Sequence, residues 1–184
     1  HQLRSGHEVE QFTAQVRARA IAAGSNHNLA LCLDGTLVAW GWNSNGQLGN
    51  NGTTNSSVPV LVDRSGVLAG KTVVAIAAGG GIEYNVSHSL ALCSDGTLAT
   101  WGANNYGQLG NSNTMASNVP VLVNQTGVLA GKTLVAISAG KRHCLALCSD
   151  STLATWGDNY YSQLGNNSSG TSGVPVPVNQ TGVL

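Results

Sequence analysis

Three stretches decide the fold: HNLALCLDGTLVAWG at residues 27–41, HSLALCSDGTLATWG at 88–102 and HCLALCSDSTLATWG at 143–157. Their starts lie 61 and 55 residues apart. Trp40, Trp101 and Trp156 keep those offsets. So do Gln47, Gln108 and Gln163 of a Gln-Leu-Gly motif, and Pro59, Pro120 and Pro175 of a Val-Pro-Val motif. Gly24, Gly79 and Gly140 reverse the two spacings, which places six extra residues between Gly79 and His88. A 55-residue unit repeated three times is a repeat architecture. The units fall at about 16–71, 72–132 and 133–184, with residues 1–15 as a leader or clasp that matches nothing downstream.

Each unit reads as four short strands. In the middle copy they are VVAIAAG from Val73, HSLALC from His88, TLATWG from Thr97 and VPVLV from Val119. Leu90 and Leu92 share one face of the second strand, and Ala91 and Cys93 the other, so both faces are apolar and both are covered. Asp34-Gly35 and Asp95-Gly96 predict two-residue hairpin turns with positive φ at both positions. Asp150-Ser151 predicts a looser or differently shaped turn in the third copy, where Ser162 also replaces Gly46 and Gly107. The expected class is all-β: a β-propeller-type repeat of four-stranded blades, about three in this chain. Three blades do not close by themselves, because propellers have four to eight.

Composition narrows the function. Charged residues are 9% of the 184, with eight basic and eight acidic, so the formal net charge is zero. No basic excess exists to neutralise phosphates, which argues against nucleic-acid binding. With 42% apolar residues and no net charge, disorder through charge is excluded. No run of about 18 apolar residues exists to span a membrane.

The pattern A-G-x-x-H-x-L-A-L-x-x-D-G-T-L-x-x-W-G-x-N-x-x-G-Q-L-G-N resembles the repeat of the regulator of chromosome condensation family. It runs from Ala23 to Asn50, from Ala78 to Asn111 with the insertion, and from Ala139 to Asn166. With the linking segments, the resemblance covers all but the N-terminal leader. It implies a propeller, typically seven-bladed. The Gly-Val-Leu-Ala-Gly-Lys-Thr linkers look more like bacterial members than the eukaryotic nucleotide exchange factor. The family's functions span GTPase regulation with chromatin binding, ubiquitin-ligase scaffolding, light sensing and enzyme inhibition, and fold alone does not choose among them. The exchange factor's wedge and basic tail have no counterpart here, and Trp42 is the one tryptophan outside the repeat position.

His27, His88 and His143 occupy one repeat position on different blades, so they read as structural residues bonded within their own blades rather than as a metal triad. Trp40, Trp101 and Trp156 read as packing residues, and Asp34, Asp95 and Asp150 as turn formers. Cys144 and Cys148, four apart on a strand, stand about 13 Å from each other, too far for a disulfide or one zinc. With Cys32 and Cys93 they read as buried thiols. Lys71 and Lys132 follow glycines but lack the spacing of a phosphate loop. No catalytic constellation stands out, so the expectation is no enzyme and no cofactor.

Candidate binding residues are those of the polar loops: Trp42, Asn45, Asn51, Asn55, Glu83, Tyr84, Asn85, Asn113 and Asn167. Glycosylation sequons start at Asn51, Asn55, Asn85, Asn124, Asn166, Asn167 and Asn179, which favours an extracellular or cell-surface protein, although buried thiols argue mildly the other way. Bare apolar faces at both ends of a three-blade stack need covering. The expected partner is therefore a second copy, joined head to tail as a ring or filament, with a protein partner at the loops. The alternative is a fragment of a longer propeller that regulates a GTPase or binds another protein through its loops.

Overall fold

The computed structural model describes residues 17–81 and 86–181. The leader 1–15, Glu83, Tyr84, Asn85 and the last Gly-Val-Leu phrase lie outside the described residues. The first sheet, blade 1, is β1 (Ala18–Ala23), β2 (His27–Cys32), β3 (Leu37–Gly41) and β4 (Ser56–Leu61). Blade 2 is β5 (Val73–Gly79), β6 (His88–Cys93), β7 (Leu98–Gly102) and β8 (Ser117–Leu122). Blade 3 is β9 (Leu134–Ala139), β10 (His143–Cys148), β11 (Leu153–Gly157) and β12 (Ser172–Pro177), preceded by a 3-10 turn at Gly127–Leu129. Every sheet is an antiparallel meander of four strands in chain order. The expected strands match closely, with the fourth strand starting two residues earlier than Val119.

The β2–β3 hairpins differ from expectation. Cys32 N–H donates to the Thr36 carbonyl at 2.8 Å, and Gly35 N–H to the Cys32 carbonyl at 3.0 Å. That is a three-residue loop, a turn closed by one left-handed residue. Positive φ is confined to its third position: Gly35 at 84°, Gly96 at 85° and Ser151 at 68°. The aspartate serves otherwise: the Oδ1 atoms of Asp34, Asp95 and Asp150 accept the N–H groups of Thr36, Thr97 and Thr152 at 2.8, 3.0 and 3.0 Å. Blade 3 keeps the same turn, since Ser151 N–H reaches the Cys148 carbonyl at 3.0 Å. Serine accepts the left-handed conformation at a cost instead of reshaping the loop.

Blades join by a fixed rule. Each turns a leucine face toward the following blade, the trailing face. Toward the preceding blade it turns a leading face of small residues and one tryptophan. Leu29, Leu31, Leu37 and Leu48 of blade 1 pack on Ala91, Cys93, Ala99 and Trp101 of blade 2. Leu90, Leu92 and Leu98 pack likewise on Cys144, Ala146, Cys148 and Trp156. All four cysteines are buried thiols. Polar bonds thread the same joints. Trp101 Nε1–H donates to the Gln47 carbonyl, and Trp156 Nε1–H to the Gln108 carbonyl, each at 2.9 Å.

The histidines join blades too, where partners within one blade were expected. Ser89 Oγ–H donates to the Gln47 carbonyl, so the His27 Nε2–H, 2.8 Å from Ser89 Oγ, is the donor of that pair. His88 Nδ1–H donates to the Val86 carbonyl at 3.1 Å, and its Nε2 lies 3.1 Å from the Cys144 sulfur, whose thiol donates to the Gln108 carbonyl at 3.3 Å.

Two outcomes follow from these groups. Burial holds His27 and His88 down to about 4. Between their ordinary pKa near 6.5 and about 4, the unfolded chain binds protons that the folded chain refuses. Stability is therefore full above that window and falls as pH drops through it, approaching about 1.4 kcal/mol per pH unit per histidine. Urea midpoints measured from neutral pH to about pH 4.5 should decline steadily, and a flat profile would contradict the neutral buried state. Ser151→Gly should raise stability by about 0.5–1 kcal/mol, because a left-handed serine becomes a glycine in a turn where Gly35 and Gly96 meet nothing within 4 Å; a midpoint at or below the native one counts against this.

Candidate functional site

The loops joining the third and fourth strands of each blade are organised by a buried asparagine. Asn43 Nδ2 donates to Asn50 Oδ1 and to the Gly52 and Thr54 carbonyls, each at 3.1 Å, while its Oδ1 accepts the Leu48 N–H at 2.9 Å. Asn104 repeats this with Asn111 Oδ1 at 3.2 Å, the Asn113 and Met115 carbonyls at 2.9 and 3.0 Å, and the Leu109 N–H at 2.9 Å. Asn159 does the same toward Ser168 and Leu164. A short amide uses both ends to fix a loop more than ten residues long, which spares the loop any core of its own. The sequence carries the signal as the Asn of Trp-Gly-x-Asn, present in every copy, where its loop-holding role is hidden among the other shared residues of the repeat.

Several predicted binding residues turn out to serve the scaffold. Asn51 is left-handed, with φ of 61°, and its N–H donates at 2.9 Å to the Asn118 carbonyl of the next blade. Asn167 holds the same repeat position with φ of 58°. Asn55 Oδ1 accepts the Asn43 N–H at 2.8 Å, and Asn113 Oδ1 accepts the Met115 N–H at 2.9 Å. Trp42 is partly exposed and its Nε1–H donates to Ser44 Oγ. Asn45 is half-buried on the same loop. Of the sequon residues, Asn124 and Asn179 spend Oδ1 on the N–H groups of Thr126 and Thr181, at 3.0 Å each. Asn166 spends its Oδ1 on Asn159 and on the Ser168 N–H.

Two surfaces stand out instead. One is a cleft of about 500 Å³ between the loops of blades 2 and 3. The Arg142 guanidinium lies over the Tyr106 ring, 4.3 Å from its centroid, and 3.7 Å from the buried Asp158 carboxylate. Tyr160 and Tyr161, edge to face at 4.8 Å, are 77% and 82% exposed beside it. Arg142, Asp158 and Tyr160 all depart from the other copies, which carry Asn26, Trp42 and Ser44 in blade 1 and Ser87, Ala103 and Asn105 in blade 2.

The other surface is the trailing face of blade 3. Leu147 is 36% exposed, whereas Leu31 and Leu92 at its repeat position are 0% and 2% exposed. Leu145 and Leu153 are likewise only half-buried. On the leading face of blade 1, Ala30, Cys32 and Val38 form a small buried cluster with Trp40 packed against it. Among the described residues no helix is long and apolar enough to cross a membrane. No group of three or more His, Cys, Asp or Glu there is arranged to hold a metal.

Replacing the central loop amide tests this construction. Asn104→Ala strips the Leu109 N–H and two loop carbonyls of their partner and should cost about 2 kcal/mol, with faster amide exchange across 105–116. Native urea stability in that variant would show that the loop holds itself.

Comparison with known proteins agrees with the geometry. The regulator of chromosome condensation (RCC1) repeat matches residues 34–83 and 95–147, and a second description of the same repeat matches 18–47, 73–108 and 134–163. The ultraviolet-B receptor UVR8 of Arabidopsis thaliana is 34% identical over 151 residues, which are 82% of this chain and 32% of that protein. The crystal structure of human WBSCR16 superposes with a TM-score of 0.74 at 27% identity, over 90% of this chain and 38% of that one. Prp20p of Saccharomyces cerevisiae superposes with a TM-score of 0.75 at 23% identity, over 91% and 39%, a likeness of fold. The chain thus spans between about a third and two fifths of these relatives. Matched in all three blades and carrying the joints those repeats encode, the chain belongs to the regulator of chromosome condensation (RCC1) repeat family.

Proposed function

We propose that this chain is a non-enzymatic propeller segment that works as a binding scaffold, and that the trailing face of blade 3 takes the leading face of a second copy. The exposure of Leu147 carries the reading, since burying a leucine contributes about 1.5–3 kcal/mol. The polar groups match as well. The Gln163 carbonyl stands at the repeat position that receives a tryptophan N–H in both internal joints, and Trp40 holds the donor position on blade 1, on a face whose Ala30, Cys32 and Val38 are buried within one chain and must be uncovered for a second copy to seat. His143 stands where His27 and His88 reach forward, and Asn28 where Ser89 and Cys144 meet them. A head-to-tail contact of this kind closes into a ring or continues as a filament.

The loops supply the second half of the reading. Exposed Tyr160 and Tyr161 beside Arg142 are the residue types that anchor protein interfaces. The Prp20p structure is described with that protein's binding to Gsp1p and histones, which supports a protein partner here. The short span of the chain against its relatives supports another reading, in which further blades of one longer polypeptide cover the same face.

Sedimentation of the 184-residue chain separates these readings. Its mass should rise with concentration, and Leu147→Lys, a change at an exposed position, should hold it at one chain without loss of β spectrum. A one-chain mass at every concentration would reject the second-copy reading and leave the longer-polypeptide one.

A further inference from the structure

At one position of its trailing face blade 3 departs from the glycine that both internal joints share. In blade 1, a Cβ added to Gly46 would lie 2.4 Å from the Asn118 Cα on the outer strand of blade 2. In blade 2, a Cβ added to Gly107 would lie 2.7 Å from the Gly173 Cα on the outer strand of blade 3. Non-bonded carbons meet best at about 3.5–4.0 Å, so neither joint has room for a side chain. The glycine is dictated by the neighbouring blade as well as by its own positive φ. Blade 3 carries Ser162 at that position. Its backbone is the same as that of its counterparts: φ is 58°, against 79° and 72°, and its N–H donates to the Asn159 carbonyl as theirs do to Asn43 and Asn104. The Ser162 Cβ therefore projects into the path that an outer strand takes in both other joints.

The same approach is needed for a bond. In the internal joints the outer strand comes close enough for its carbonyl to accept an N–H from the preceding loop: Asn51 to Asn118, and Ser112 to Gly173, each at 2.9 Å. The third copy offers Asn167, and the corresponding carbonyl of a second copy is that of Ser57 on β4. A strand held off by Ser162 does not reach Asn167. We infer that Ser162 makes the head-to-tail junction a weak, reversible seam, which keeps the inner leucine and tryptophan contacts but splays at the outer strand. This rests on the second-copy reading above.

Light scattering and sedimentation on the native chain and on Ser162→Gly test the seam. The glycine variant should associate at least tenfold more tightly, and equal or weaker association overturns the inference. The steric premise is tested inside the chain by Gly107→Ser against Gly96→Ser. Both create a left-handed serine, but Gly96 meets nothing within 4 Å. Gly107→Ser should lower the urea midpoint clearly more than Gly96→Ser, and equal losses overturn the inference whatever the chain's mass. If the two differ but neither the native chain nor Ser162→Gly ever exceeds one chain in mass, the second-copy reading fails and takes the seam with it.

Discussion

Everything in this molecule depends on one contact, the indole of one blade seated on the Gln-Leu-Gly turn of the blade before. A buried indole needs an acceptor for its N–H. The Gln47 carbonyl supplies it to Trp101 and also accepts the Ser89 hydroxyl. The glycine two residues on is bound into the same arrangement, since a Cβ at Gly49 would lie 2.7 Å from Trp101 Nε1, and one at Gly110 the same distance from Trp156 Nε1. Trp-Gly and Gln-Leu-Gly are thus two halves of one joint, made by different blades. A blade in the middle must carry both, which explains why the copies agree at these positions while their outer loops diverge.

What could be read from the sequence was what repeats within a blade. The alternation of Leu29 and Leu31 with Ala30 and Cys32 gave the strands and their two covered faces. The fixed offsets of Trp and Gln-Leu-Gly gave the family. What lay between blades was harder to see. His27 looks the same whether it bonds inside its own sheet or reaches Ser89 across the joint, because both partners sit in the same kind of strand. The hairpin was misread for a related reason. Asp-Gly is common to two loop lengths, and the Cys32–Thr36 bond that distinguishes them is set by register. The cleft around Arg142 is not legible from the repeat, because Arg142, Asp158 and Tyr160 are particular to the third copy.

The scarcity of charge also has a local account. Asn43, Asn104 and Asn159 gather their loops around one uncharged amide each. Four of the few charges pair at turns. Lys71 and Lys132 reach Asp95 and Asp150 across the hairpins at 2.5 Å. The lysine bond, with the N–H and hydroxyl of the neighbouring threonine, holds each aspartate near 2. These pairs are exposed, so they place a linker against a turn more than they stabilise the sheet.

In a stack where each blade touches only its neighbours, stability is approximately a sum of blade terms and joint terms. Blade 2 belongs to two described joints, and its strands β6 and β7 are buried along their whole length. Blade 3 belongs to one, and there the same leucine positions are half-buried or exposed. Its two left-handed serines, Ser151 and Ser162, fall on this less supported blade, whereas blade 2 keeps glycine at both positions. The strain therefore gathers at one end of the stack. Among the described residues the middle blade is packed on both faces and blade 3 on one, so within this part of the stack β10–β12 has the fewest contacts to hold it against local opening.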